Sequence, residues 1–349
     1  MNQTECHPPE EVAPGIFRLT IPVPFQSLKF VNLWLLADGD GFTMVDCGWD
    51  DEATRERLEA GWKEVLGGKP VTRLIITHFH PDHMGASGFI AQRWGVQPLT
   101  TQLEWMAGHA AVKSLYSDDI ELRAQFYARH GLSDELLALY RKDTIQYDAG
   151  AWLPESFTRI GEGTTLEIGG RTWRVLIGQG HSPEMALLYS AQDDILIAAD
   201  QILPKITPNV SVWPWEPEAD PLVDFVSSLK TIAEHVGEQT LVLPSHREPF
   251  TGAAQRIAEL QHHHVERLNH LRQLLARAPK QRVGDLMEAL FKRALDGHQV
   301  NFAVGEAVAH LNRLHALGEV ERHIDGTGQI DYSLISSGVS PDIELETAP

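Results

Sequence analysis

The stretch Thr77-His78-Phe79-His80-Pro81-Asp82-His83 decides how this 349-residue chain is interpreted. It places three histidines and one aspartate directly after the apolar run Leu74–Ile76. A strand that ends in such a cluster brings nitrogen and oxygen ligands to one edge of a sheet. Imidazole and carboxylate groups together suit zinc, iron or manganese. The cluster is rich enough in ligands for two metal ions to be expected; the alternative is a histidine-rich surface turn.

A potential ligand follows the end of an apolar strand at four places along the chain. These residues are His78, His181, Asp200 and His246. Ligand side chains gather at strand ends in open sheets. An isolated histidine is more commonly a turn or core residue, but the repetition at four strand ends favours one shared metal site.

Asp46 ends another predicted strand, Phe42–Val45, and is followed by Cys47-Gly48. An aspartate in this position can be a simple turn former. It can also be a carboxylate that orients the histidine loop from behind the metal ligands. The local sequence leaves both interpretations open.

Composition and charge describe an ordinary globular protein with an acidic surface. Apolar residues make up 43% of the chain and charged residues 22%, and the formal net charge is −19. The charge disfavours nucleic acid as a partner, because its binding usually needs a basic surface. Two cysteines are too few for a disulfide framework, and neither a signal peptide nor a membrane span is expected. A cytoplasmic location is the simplest expectation.

Strands and helices alternate through much of the chain, which predicts an α/β fold. Residues 102–150 interrupt this pattern as a long helical insertion, and Pro204–Pro221 is a loop that carries Trp213 and Trp215. Inserted segments beside a site often form a lid or a substrate wall. We therefore assign Trp213 and Trp215 to the substrate pocket, while the insertion serves as wall and core with no catalytic residue singled out.

The C-terminal part is predicted to form a separate small module. A long helix from residue 251 to about 278 carries His262-His263-His264, whose side chains point about 100° apart and so do not converge on one ion. Two helices and a hairpin within residues 283–336 suggest a winged helix. Its four Lys and Arg residues against eight Asp and Glu residues give a balance of −4, which favours packing or dimerisation over DNA binding.

The ligand set His78-x-His80-x-Asp82-His83, His181, Asp200 and His246 resembles that of the metallo-β-lactamase fold superfamily. The resemblance covers about residues 12–250, includes Asp46, and extends to about residue 336 for the β-lactamase-like 2 branch. It implies an αββα sandwich of two mixed sheets with helices outside. It also implies a catalytic domain at 12–260, a linking helix with a winged-helix-like module at 261–336, and a tail at 337–349.

The resemblance further implies two divalent metal ions, with zinc favoured over iron or manganese. The first metal would be held by His78, His80 and His181, the second by Asp82, His83 and His246, and Asp200 would bridge them. The flavo-diiron oxidases of the superfamily usually carry a glutamate where this chain has His80, so a hydrolytic centre is expected.

The expected reaction is hydrolysis by a metal-bridging hydroxide, with Asp82 as the catalytic residue that orients it and passes on its proton. The preferred substrate is a thioester or ester of a small to medium acyl group, as in a thioesterase. The alternatives are a phosphodiesterase or ribonuclease, and a metal-bearing regulatory or effector protein with vestigial hydrolysis. A small-molecule substrate is expected as partner, with no membrane, and with a homodimer as one option.

Overall fold

The computed structural model describes residues 6–24, 28–112, 119–143, 152–291 and 295–335. The chain divides into two compact units. The first comprises residues 1–113, 147–208 and 231–257, and the second comprises residues 114–146, 209–230 and 258–349. The metal-ligand candidates all belong to the first unit.

The first sheet of the first unit is mixed. Its strands run antiparallel from β1 to β4 and parallel from β4 to β7. In the described part of the chain its order is β1 (Glu10–Ala13), β2 (Ile16–Pro22), β3 (Phe30–Asp38), β4 (Gly41–Val45), β5 (Val71–Ile75), β6 (Pro98–Thr100) and β7 (Thr158–Arg159).

The second sheet is also mixed, with an antiparallel run that ends in one parallel pair. Among the described residues its order is β12 (Leu241–Pro244), β11 (Ile195–Ala199), β10 (Met185–Ser190), β9 (Arg171–Gly178) and β8 (Thr165–Ile168). Two mixed sheets agree with the predicted sandwich.

The helices of the first unit are α1 (Glu52–Val65), α2 (Pro81–Met84), α3 (Ser87–Trp94) and α4 (Gln102–Val112). One apolar core lies between the two sheets and includes Trp34 and Trp173. A second core packs the first sheet against helices α1 and α3, where Trp62 stacks on Phe89 with ring centroids 6.0 Å apart. Burial of these large apolar side chains supplies most of the driving force for folding.

The second unit contains α5 (Asp119–Arg129), α6 (Asp134–Asp143), α9 (Val283–Leu290), α10 (Gly297–Ala316) and the antiparallel hairpin β13 (Val320–Ile324) and β14 (Ile330–Leu334). Helices α7 (Pro221–Ala233) and α8 (Ala253–Leu275) contain residues of both units. A small C-terminal domain of two helices and a hairpin is therefore present. Its description as a winged helix, and the boundaries at 260 and 336, stay predictions.

The segment that follows β5 forms two helices with a short break between them. The chain forms the short helix α2, passes through Gly85 and Ala86, and begins α3 at Ser87. Gly85 fits because a Cβ atom there would lie 2.3 Å from the carbonyl oxygen of Pro81 and 3.0 Å from the backbone nitrogen of Asp50. The break places Asp82 and His83 on their own helical turn.

The predicted insertion is helical where it is described, in α4, α5 and α6, and residues 113–118 and 144–150 lie outside the described ranges. None of the helices in the described ranges combines the length and apolar character needed to cross a membrane.

Candidate metal centre

Strand ends position every candidate ligand. The first sheet presents His78, His80, Asp82 and His83 after β5, and the second presents His181 after β9, Asp200 after β11 and His246 after β12. The hydrogen bond from the backbone nitrogen of Asn32 to the carbonyl oxygen of Ser245, 2.6 Å long, joins the two sheets beside this edge. The rigid sheets thus bring together seven side chains that are far apart in sequence.

The first cluster consists of His78, His80, His181 and Asp200. Their ligand atoms lie within 4.8 Å of one another. Nε2 of His78 is 3.0 Å from Nδ1 of His80, and Nε2 of His181 is 3.5 Å from Oδ2 of Asp200. These separations leave room for one ion with imidazole and carboxylate ligands.

The second cluster consists of Asp82, His83 and His246, again with ligand atoms within 4.8 Å. Oδ2 of Asp82 lies 3.7 Å from Nε2 of His83 and 3.4 Å from Nε2 of His246. A mixed set of two imidazoles and one carboxylate is suited to a second divalent ion.

Asp200 faces both clusters. Its Oδ1 lies 3.7 Å from Nε2 of His83, while its Oδ2 lies 3.6 Å from Nε2 of His246 and 3.5 Å from Nε2 of His181. One carboxylate that lies this close to histidines of both clusters is able to bridge two metal ions.

Buried polar atoms at the centre test whether these residues fit metal ions. Nε2 of His83, Nε2 of His246 and Oδ1 of Asp200 are buried and have no hydrogen-bond partner among the described residues. A buried polar atom without a partner is costly, so such atoms call for a ligand. Their convergence fits metal binding and does not fix the identity of the metal.

Asp46 lies behind both histidine segments. Its Oδ1 accepts a hydrogen bond of 2.8 Å from the backbone nitrogen of Thr77, and its Oδ2 accepts one of 2.9 Å from the Thr77 hydroxyl. Oδ2 also lies 2.9 Å from Nδ1 of His83, and because a carboxylate only accepts, Nδ1 donates. That tautomer leaves the Nε2 lone pair of His83 directed at the cluster.

The backbone of Asp46 is left-handed, with φ of 65°. Aspartate tolerates this conformation better than most residues other than glycine. Of the two interpretations of Asp46, the observed hydrogen bonds favour the carboxylate that orients the histidine loop.

The other imidazoles are oriented in the same way. Nδ1 of His78 lies 3.0 Å from the Thr77 hydroxyl, which itself donates to Asp46, so Nδ1 of His78 donates to that oxygen. Nδ1 of His246 donates to the carbonyl oxygen of Phe30 at 3.0 Å. Both histidines therefore present Nε2 to the centre.

The first cluster keeps its imidazoles neutral. Burial, together with the neighbouring histidines, lowers the pKa of His80 to about 3 and holds the pKa of His78 well below its ordinary value. Neutral imidazole is the form that binds metal.

The second cluster has the opposite electrostatics. Burial opposes charge on His83, but Asp82, Asp200 and Asp46 outweigh it and raise the pKa of His83 to about 9. Burial likewise disfavours an ionised Asp82, but His83 and His246 lower its pKa to about 2. In the metal-free protein this cluster is a set of ion pairs.

Glu104 is a buried residue beside the site that the sequence analysis did not single out. It lies in the first turn of α4, is 0% exposed, and has its pKa raised to about 7 by burial. The sequence offers one indication of its burial: Glu104 and Gly108 are four residues apart and so lie on the same face of α4. From the sequence, the segment that contains α4 is interpreted as wall and core.

The remaining sequence candidates lie in the second unit. The rings of Trp213 and Trp215 stack with centroids 5.3 Å apart, and the guanidinium carbon of Arg123 lies 4.8 Å from the Trp213 ring centroid. Their assignment to the substrate pocket stays a prediction. His264 is buried and its Nδ1 lies 3.1 Å from Nε2 of His310, whereas His262 is exposed, in agreement with three side chains that do not converge.

Comparison with protein families gives two adjoining matches. Residues 27–274 match the model described as the metallo-beta-lactamase superfamily. Residues 268–335 match the model described as the metallo-beta-lactamase-like C-terminal domain. The second match coincides with the small domain of α9, α10 and the β13–β14 hairpin.

Solved structures and curated relatives agree with these matches. A beta-lactamase domain protein from Burkholderia ambifaria is 40% identical with a TM-score of 0.85, and the alignment covers 94% of each chain. A metallo-beta-lactamase family protein from Thermus thermophilus is 30% identical with a TM-score of 0.77, covering 93% of this chain and all of that one. A Bacillus subtilis protein named as a probable metallo-hydrolase is 22% identical over 89% of this chain and 95% of its own length.

Proposed function

The chain belongs to the metallo-beta-lactamase superfamily and is a metallo-hydrolase, and from that premise we propose that it cleaves a thioester or ester of a small to medium acyl substrate at a dinuclear centre. The observation that carries the dinuclear part is the position of Asp200, whose carboxylate lies 3.5 Å from Nε2 of His181 in the first cluster and 3.7 Å from Nε2 of His83 in the second. A single ion at the first cluster would leave Nε2 of His83 and Nε2 of His246 buried without a hydrogen-bond partner or a ligand among the described residues.

Each residue has a defined part in the proposed mechanism. His78, His80 and His181 would hold one ion, Asp82, His83 and His246 the other, and Asp200 would bridge them. The residues so arranged would hold divalent ions, which would supply polarisation of the bond to be cleaved and a water of near-neutral pKa. Asp82 would orient the attacking water and pass on its proton.

The choice of an acyl substrate is supported by charge and by one surface. A net charge of −19 opposes the approach of polyanions such as RNA. The stacked pair of Trp213 and Trp215 offers a flat apolar surface of the kind that binds an acyl chain.

The test compares four substrate classes on zinc-loaded protein: acyl-CoA thioesters, nitrophenyl esters, bis-nitrophenyl phosphate and single-stranded RNA. We expect turnover of thioesters or esters and none of the phosphodiesters. Trp213→Ala should raise KM for long acyl chains more than for acetyl, with kcat little changed. Trp152→Ala, which removes an exposed indole of the first unit, is the control.

Three results would contradict the proposal. Turnover of RNA or of bis-nitrophenyl phosphate alone would make the protein a phosphodiesterase. Binding of two zinc ions without turnover of any class would indicate an effector with vestigial hydrolysis. Full thioesterase activity in zinc-loaded Asp82→Ala would remove Asp82 from the mechanism.

A further inference from the structure

The carboxylate of Glu104 collects three hydrogen bonds in a buried position. Oε2 accepts from the backbone nitrogen of Phe79 at 2.9 Å. Oε1 accepts from the hydroxyl of Ser182 at 2.7 Å and from the backbone nitrogen of Glu184 at 2.6 Å. Above about pH 7, where Glu104 is ionised, these hydrogen bonds are stronger than bonds to a neutral acceptor.

The three donors come from the two loops that carry the histidines of the first cluster. Phe79 stands between His78 and His80, and Ser182 directly follows His181. Each oxygen of Glu104 serves a different loop, so the width of one carboxylate sets the separation of the two loops. The ion pairs of the second cluster involve other residues: Asp82, His83, His246 and Asp200.

Helix α4 is itself fixed to the His181 loop. The Thr101 hydroxyl donates to the carbonyl oxygen of Glu184 at 2.8 Å, and the backbone nitrogen of Leu103 donates to Oε2 of Glu184 at 3.2 Å. Glu104 therefore projects from a helix whose first turn is already aligned with the loop it holds. A group placed in this way is preorganised.

We propose that Glu104 is a positioning residue that sets the distance between the His78–His80 loop and the His181 loop, and so controls metal affinity at the first cluster alone. The inference rests on the proposed metal-dependent function, since it concerns the same centre. It adds a residue from α4, a helix that offers no ligand of its own.

Substitution by glutamine is the sharpest change, because it keeps the size of the side chain. An amide has one oxygen and one NH2 group, whereas all three partners of Glu104 donate. Either the Phe79 nitrogen or the Ser182–Glu184 pair must then face an NH2 group. Glu104→Asp keeps both acceptor oxygens but is one methylene shorter. Its zinc affinity at the first cluster should therefore lie between those of Glu104→Gln and the wild type.

Metal affinity is measured by zinc titration against a chromophoric chelator in two backgrounds of the full-length chain. His246→Ala leaves the first cluster intact, and His80→Ala leaves the second intact. We expect Glu104→Gln to weaken zinc binding about 10- to 100-fold in the His246→Ala background and less than about twofold in the His80→Ala background. Glu59→Gln, which changes an exposed partner of Arg93, is the matched control and should change neither value.

Equal weakening in both backgrounds would show a general structural role, and no weakening in the His246→Ala background would show that the loops hold their separation without Glu104. Either result overturns the inference. The readout needs no substrate: if wild-type protein binds zinc but turns over no ester, the proposed function fails while the Glu104 result stands.

Discussion

The two ligand clusters lie side by side, share Asp200, and differ in their charge. In the first cluster, His78 and His80 are surrounded mainly by other imidazoles, and the pKa of His80 lies at about 3. In the second cluster, His83 lies beside three carboxylates and His246 beside two, and the pKa of His83 lies at about 9. At neutral pH the first is ready to accept a cation, whereas the second must first lose protons.

This difference extends to the residues that hold each cluster. Asp46 acts on rings, since it fixes the tautomer of His83 directly and that of His78 through the Thr77 hydroxyl. Glu104 acts on the backbone of the two loops of the first cluster. Asp46 thus orients imidazole rings, whereas Glu104 sets the spacing of loops, and a substitution can change one without the other.

The largest expected effect comes from Asp200, the residue that the clusters share. Asp200→Asn should remove one bridging oxygen, lower the zinc content from two equivalents toward one, and reduce turnover by at least about 10³-fold, because the metals contribute several kcal/mol to the transition state. Zinc content and kcat are the measurements. Asp193→Asn, which changes an exposed partner of Arg171, should leave both intact.

The next effect distinguishes the clusters by pH. Binding at the second cluster must displace the proton of His83 at any pH below about 9, and nearby Asp200 and Asp82 also hold the pKa of His246 well above its ordinary value. Zinc affinity should therefore rise at least about 100-fold from pH 6 to pH 8, the change for one displaced proton. The first cluster should change little over that range, because His80 is already neutral above about pH 3. Zinc titrations of His80→Ala and His246→Ala measure the two slopes, and parallel slopes would contradict the comparison.

Glu104 should give a stability effect that depends on pH. Its pKa in the folded protein, about 7, exceeds its ordinary value of 4.5, so the folded state keeps a proton that the unfolded state releases. This contribution is complete below about pH 4.5 and is lost as the pH rises to about 7, on the order of 3 kcal/mol.

The measurement is the unfolding free energy of metal-free wild type minus that of Glu104→Gln at several pH values. The difference should fall between pH 4.5 and 7 and then level off. A difference that rises with pH would mean that the three donors outweigh burial and that Glu104 is ionised throughout.

Sequence alone predicted the parts of the site that follow strand ends. Each of these ligands follows an apolar strand: the run after Ile76, His181, Asp200 and His246. The positions of the strands in the two sheets then determine where the ligands meet. Glu104 could not be found in this way, because it lies within a helix and its partners are two backbone nitrogens and a serine hydroxyl. Backbone donors leave no pattern in a sequence, so a residue that holds loops is visible only when the loops are folded.

The smallest expected effect concerns Asp46, and it is the counterpart of the Glu104 experiment. Asparagine keeps the size of the side chain and tolerates the left-handed backbone at this position. If its NH2 group faces His83, Nδ1 must become an acceptor and the proton moves to Nε2, the atom that would bind metal. If the amide turns over, the NH2 group opposes the backbone nitrogen of Thr77 instead.

Either arrangement should weaken zinc binding at the second cluster about tenfold in the His80→Ala background. The first cluster should be less affected, because the Thr77 hydroxyl can still accept from Nδ1 of His78 when its own proton turns to the amide oxygen. Glu104→Gln and Asp46→Asn are thus two isosteric changes, of which the first should weaken zinc binding mainly at the first cluster and the second mainly at the second cluster. If both variants weakened the same cluster, orienting rings and spacing loops would be one task rather than two.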